Sequence, residues 1–182
     1  MTTLTRRRFV GSGLLAGLGL AMGGCVSTSG TPLPPEAQAS LRLRAIKVDV
    51  SALRGAGLGP WADIVSSTMQ PELARSFAAR MAPDARDADT LVAKVTSVSL
   101  ASWVGGGFSS DFGPSGMDTD YMEGEALILA RDGSMRAHYP ILLALPSSSA
   151  GAWFTPNIDQ RRVAGLSRVF ATWVRDYVLG RR

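Results

Sequence analysis

The chain contains one cysteine, Cys25, and one histidine, His138, in 182 residues. A single thiol cannot close an intrachain disulfide. One cysteine and one histidine cannot supply the ligands of a structural zinc site or an iron–sulfur cluster. No cofactor is therefore expected. The chain also lacks a Gly-x-Ser-x-Gly elbow, an EF-hand loop and any internal repeat. Its serines cluster in soft loops, so His138 reads as a surface or strand histidine and not as the base of a triad. Long hydrophobic runs are missing too. Phe9 to Met22 is apolar but diluted by Gly11, Gly13, Gly17 and Gly19. As a helix it would rise about 21 Å, short of a hydrocarbon core of about 30 Å. No strand precedes these glycines and their spacing is wrong for a dinucleotide loop.

What stands around that run is more specific. Arg6, Arg7 and Arg8 precede it, and the small residues Gly23 and Gly24 follow it, directly before Cys25. This is the layout of a removable export signal over residues 1–24. Thr5-Arg6-Arg7-Arg8-Phe9-Val10 resembles the twin-arginine translocation motif, carried by Arg6, Arg7 and Phe9. Met22-Gly23-Gly24-Cys25 resembles the bacterial lipobox. The resemblance covers the first 25 residues. It implies that the Cys25 thiol receives a diacylglycerol, that the chain is cut after Gly24, and that the new amino terminus is acylated. The lipid bilayer would then be a partner through Cys25. Each buried methylene contributes about 0.8 kcal/mol and one acyl chain holds only weakly, so several chains make the attachment permanent. Residue 26 is Val, not the Asp that marks inner-membrane retention in such lipoproteins. The implied location is the outer membrane, facing the periplasm. The alternatives are a cleaved signal without lipid and an uncleaved anchor.

Removing the signal takes away three arginines and leaves 16 basic against 15 acidic side chains. The net charge falls to about +1, and nothing in it argues for nucleic acid. Residues 25–40 hold Ser, Thr, Gly and the prolines 32, 34 and 35, which suits a tether and not a core element. Residues 41–182 are long enough for a single domain with a real core.

Within that domain, "LRLRAIKVDV" alternates with a phase change near Ala45 that predicts a strand with a bulge. "SALRGAGLGP" reads as a Gly-rich connection. Trp61, Val65, Met69, Leu73, Phe77 and Met81 follow at helical steps, with Pro71 either kinking the helix or opening a second segment. "TLVAKVTSVSLASWV" predicts a strand over 90–104, and 105–120 a Gly-rich loop. "YMEGEALILAR" and "SMRAHYPILLAL" predict a hairpin about Asp132-Gly133, with Pro140 pointing to an edge strand or a bulge. A loop over 146–157 precedes a final helix from Ile158, with Val163, Leu166, Val169, Phe170, Trp173, Val174, Tyr177 and Val178 on its apolar half. The expected fold is α+β in the order β-α-β-β-β-α: a four-stranded mixed sheet with two amphipathic helices on one face.

Several residues qualify as sites. Asp111, Asp118, Asp120, Glu123 and Glu125 form an acidic run, but Asp with Gly and Ser is ordinary loop chemistry and no metal is expected. Glu123 and Glu125 share one strand face about 7 Å apart, where a hydrolase would place paired carboxylates. A solvated sheet face is the plainer reading. Trp103, Phe108 and Phe112 on one loop, and Trp153 and Phe154 on the other, either cap the sheet or form a binding rim. Arg161, Arg168 and Arg175 recur every seven residues opposite the apolar stripe of the last helix. That stripe is either a soluble outer face or a docking strip for anionic headgroups, peptidoglycan or an acidic partner.

In element order and anchor, the folded part resembles small α+β periplasmic lipoproteins that serve as auxiliary parts of transport or envelope-assembly machines. The resemblance implies a non-enzymatic, outer-membrane-anchored interaction module with an envelope protein as partner. The alternatives are a periplasmic hydrolase using the loop and strand carboxylates, and a small-lipid carrier with a cavity between helices and sheet.

Overall fold

A computed structural model describes residues 30–101, 119–152 and 154–181. In chain order these form a short helix α1 (Pro35–Ala39), strand β1 (Leu43–Asp49), a short helix α2 (Ser51–Gly55), helix α3 (Gly59–Ser76), strand β2 (Asp89–Ser99), strand β3 (Thr119–Leu129), strand β4 (Met135–Pro146) and helix α4 (Ile158–Val178). Short 3₁₀ turns follow α3 at Ala78–Arg80 and β4 at Ser147–Ala150. The strands make one sheet in the order β1-β2-β3-β4. β1 runs parallel to β2, and the other pairs are antiparallel. Parallel strands need a crossover instead of a tight turn, and α3 supplies it. The fold is thus the α+β arrangement that the sequence predicts.

Two-residue alternation sorts the sheet into two faces. Leu91, Ala93 and Val95 of β2, Met122, Gly124, Ala126 and Ile128 of β3, and Ala137, Tyr139, Ile141 and Leu143 of β4 are buried under the helices. α3 contributes Ala62, Val65, Met69 and Leu73, and α4 contributes Val163, Leu166, Phe170, Val174 and Val178. Among the described residues the opposite face carries no helix. In β1 the register shifts between Leu43 and Ala45, which is the bulge that the phase change predicts. With Arg44 taken out of step, Leu41, Leu43 and Val50 are all buried.

Asp132 and Gly133 turn the β3–β4 hairpin. Gly133 has φ 87°, and Asp132 Oδ1 accepts the Ser134 N–H at 2.9 Å. β4 is an edge strand, as Pro140 predicts. The His138 N–H donates outward to the Thr31 carbonyl at 2.9 Å. Two residues on, the N–H that Pro140 lacks would also point outward, where the ladder with β3 loses nothing.

Four expectations shift. The stretch from Thr31 is not loose tether. Thr31 bridges His138, Leu33 is 4% exposed, and the Leu33 N–H donates to the Tyr139 hydroxyl at 2.8 Å. A Cβ on Gly30 would lie 2.5 Å from the His138 carbonyl oxygen, so the chain hugs β4 as only glycine allows. The supposed connection after β1 holds α2, which buries Leu53. α3 runs through Pro71 as one helix but stops at Ser76, leaving Met81 exposed. Pro71 stands on the exposed side, so the Ser67 carbonyl that it leaves without a donor is open to water. Finally, Asp120 belongs to β3, not to the preceding loop.

Candidate functional site

The most buried polar cluster stands where β2, β3, the Ser147–Ala150 turn and α4 converge. Asp120 has even parity with Met122 and Gly124, so it enters the core side of the sheet. Arg162 lies near the start of α4, in step with Leu166, Phe170 and Val174, and is 3% exposed. Its guanidinium grips Asp120 with two nitrogens: Nε donates to Oδ2 at 2.7 Å, and Nη2 donates to Oδ1. Asp120 Oδ1 also accepts from the Ser147 hydroxyl at 2.7 Å and from the Ala101 N–H at 3.0 Å. Arg162 Nη2 donates to the Ala101 carbonyl at 2.9 Å, and Nη1 to Asp159 at 3.1 Å. The Asp120 carboxylate pushes the guanidinium pKa further up, against the cost of burial. Ala101 and Asp120 flank residues 102–118, so this network joins both sides of that segment to the start of α4. Among the described residues no buried side-chain polar atom lacks a hydrogen-bond partner.

Beside the network runs an open cleft of about 250 Å³. Arg161, Gly165 and Arg168 of α4 line one wall, Ser147 and Ser149 the other, and Leu166 its floor. Arg161 Nε donates to the Ala150 carbonyl at 3.1 Å, which ties it to the opposite wall.

The uncovered sheet face has a charged centre. Asp49, Lys94 and Glu125 stand side by side on β1, β2 and β3. Lys94 Nζ donates to Glu125 Oε1 at 2.8 Å, and His138 Nε2 lies 2.7 Å from Glu125 Oε2. The Lys94 bond holds the Glu125 carboxyl below its ordinary value of 4.5, and Glu125 in turn raises Lys94. The Ser51 N–H, donated to Asp49 Oδ1 at 2.9 Å, lowers Asp49. Tyr121 and Leu142 lie on the same face and are exposed.

A carboxyl with a lowered folded pKa stabilises the fold above its unfolded value. That stability is lost as the pH falls through the folded value. Glu125→Gln should therefore be less stable than the parent above about pH 5.5, with the gap closing as the pH drops well below 4.5. Urea midpoints at pH 7, 5 and 3 check this; a gap that stays constant down to pH 3 would contradict it.

The structure redistributes the predicted site residues. Glu123 is exposed and Glu125 half-buried on the open face, and neither lines the cleft. Phe154 is 74% exposed. Trp103, Phe108, Phe112, Trp153, Asp111 and Asp118 lie outside the described residues, as do Arg6, Arg7, Phe9, Gly24 and Cys25. The arginine stripe divides. Arg161 and Arg168 are exposed in the cleft, whereas Arg175 is half-buried and paired with Asp176 at 2.7 Å. Sequence pattern alone does not single out Arg162 and puts Asp120 in a loop, although both residues sit in phase with apolar neighbours. Among the described residues no group of His, Cys, Asp and Glu could hold a metal ion, and no helix is long and apolar enough to cross a membrane.

Among the described residues, fold and site together define an α+β domain with one helix-covered sheet face, one open face, and a basic cleft at one end. Compared with protein-family models, curated proteins and solved structures, the chain matches none.

Proposed function

We propose that the protein is a bacterial outer-membrane lipoprotein, held by an acylated Cys25 and facing the periplasm, that works as a non-enzymatic interaction module of an envelope or transport assembly. The observation that carries this reading is Cys25 itself, the chain's only thiol, placed directly after a basic and apolar export signal. Two features of the domain support it. Among the described residues one sheet face is left without helices, and Phe154 is exposed in the segment over 146–157. An envelope protein partner would meet the domain on the two aromatic-bearing segments, 105–118 and 146–157.

Of the carboxylates that a hydrolase would use, Glu123 and Glu125 stand apart from the cleft, and Asp120, which lines it, is held by Arg162, Ser147 and the Ala101 N–H. Glu125 is already committed to Lys94 and His138. The small-lipid carrier needs a void between helix and sheet, and there Phe170 of α4 packs against Gly124 of β3.

Cys25→Ala should release the protein from the outer-membrane fraction and abolish incorporation of labelled palmitate. Mass analysis of the native protein should find residue 25 acylated. An unmodified Cys25, or a Cys25→Ala variant that stays with the outer membrane, would overturn the proposal.

A further inference from the structure

α4 contains a glycine that its helix does not need. Gly165 lies mid-helix, where glycine is less favourable than alanine, and a Cβ there would meet nothing within 4 Å. Packing therefore does not require it. Its neighbours on the same helix face are Arg161, four residues before, and Arg168, three after. Their Cα atoms are about 10 Å apart along the axis, and Gly165 leaves bare floor between them. All three line the cleft, with Ser149 on the facing wall.

Among the described residues the charge there is not cancelled. The acidic residue lining the cleft is Asp120, whose oxygens are taken by Arg162, Ser147 and the Ala101 N–H. The Arg168 side chain makes no hydrogen bond or ion pair among the described residues. The bond from Arg161 to Ala150 holds one guanidinium at the rim. Guanidinium groups favour planar, forked contacts with oxyanions. Two such groups and a serine hydroxyl offer more donors than the two oxygens of a carboxylate can use, and a phosphate offers more oxygens.

We propose that this cleft binds the phosphate group of a small soluble ligand, with Arg161 and Arg168 gripping its oxygens over Gly165 and Ser149 donating from across. The inference goes beyond the anchored-module reading and does not depend on it, since it concerns the folded domain whatever holds Cys25.

The test titrates inorganic phosphate into the full chain in nonionic detergent, with chloride matching the ionic strength. Phosphate should raise the unfolding temperature and bind saturably. Arg161→Gln and Arg168→Gln should each weaken binding at least tenfold, and Arg175→Gln should leave it unchanged. Gly165→Leu should abolish binding while the unfolding temperature without ligand stays the same or rises, because leucine is the better helix former. That variant separates an occupied cleft from a damaged fold. No phosphate effect beyond that of chloride, or binding that survives Gly165→Leu, would overturn the proposal. Micelles doped with phosphatidylglycerol form the second arm. Arg168-dependent capture by those micelles, without binding of free phosphate, would assign the cleft to a lipid headgroup and overturn the soluble ligand.

Discussion

Asp120→Ala should cost about 4 kcal/mol of folding stability, in the range for breaking a buried ion pair by removing one partner. The residue left behind decides the size. Arg162 is 3% exposed and cannot shed its charge, since a guanidinium stays protonated at any pH the folded chain meets. Without Asp120 the guanidinium keeps contacts to Asp159, Ser147 and the Ala101 carbonyl but loses its buried countercharge. The Ser147 hydroxyl and the Ala101 N–H lose their acceptor as well. Removing both charges should hurt less than removing one, because an apolar pair of similar volume avoids the uncompensated ion. Urea unfolding of Asp120→Ala, Arg162→Met and Asp120→Leu with Arg162→Met checks this. The double variant should recover more than half of the loss seen in Asp120→Ala. Equal destabilisation of the double variant and Asp120→Ala would mean that the network's hydrogen bonds, and not the stranded charge, set the cost.

Gly124→Ala should destabilise by about 3 kcal/mol, at the upper end for overpacking. Gly124 faces α4 from the middle of β3. An added Cβ would lie 2.1 Å from the Lys94 carbonyl oxygen and 3.0 Å from Phe170 Cζ. The first clash is with backbone and cannot be relieved by a rotamer change. It falls where β2 and β3 shift register between Val95 and Ser97. The glycine and the bulge are thus one arrangement, in which β2 approaches β3 closely while the Phe170 ring fills the space above. In a domain of this size the loss corresponds to about 10 °C in unfolding temperature, read by thermal melts. Phe170→Leu in the Gly124→Ala background should restore little, because it frees the ring contact and leaves the carbonyl clash. Full rescue by Phe170→Leu would show that the close approach of β2 carries no strain.

Most of the fold was legible because local pattern and tertiary role agree in it. The phase break at Ala45 reports a bulge, Asp132-Gly133 a hairpin, and Pro140 an outward-facing edge position; each is a backbone constraint written in one or two residues. Other features depend on partners far along the chain. Leu33 stands alone between prolines and has no periodicity to place it, so its burial beside Tyr139 is invisible locally. Gly55 and Gly57 hide α2, whose short turn is held by the packing of Leu53 and not by propensity. Asp120 and Arg162 are the instructive pair. Each keeps step with apolar neighbours and, read alone, looks like an interruption of a stripe. The separation of 42 positions conceals that each interruption answers the other.

The bridge between Thr31 and His138 also sets how far the domain can travel once Cys25 is acylated. Five peptide units separate Cys25 from Gly30, which at full extension span about 18 Å. Gly30 and Pro32 share a depression with Pro140 and Tyr177, so an acylated Cys25 would hold that end of the domain within about 18 Å of the leaflet. Gly165 lies 12 positions before Tyr177 on α4, about 18 Å along the helix. An acylated Cys25 would thus keep the domain on a short mooring, and a partner would have to come to the membrane surface to meet it.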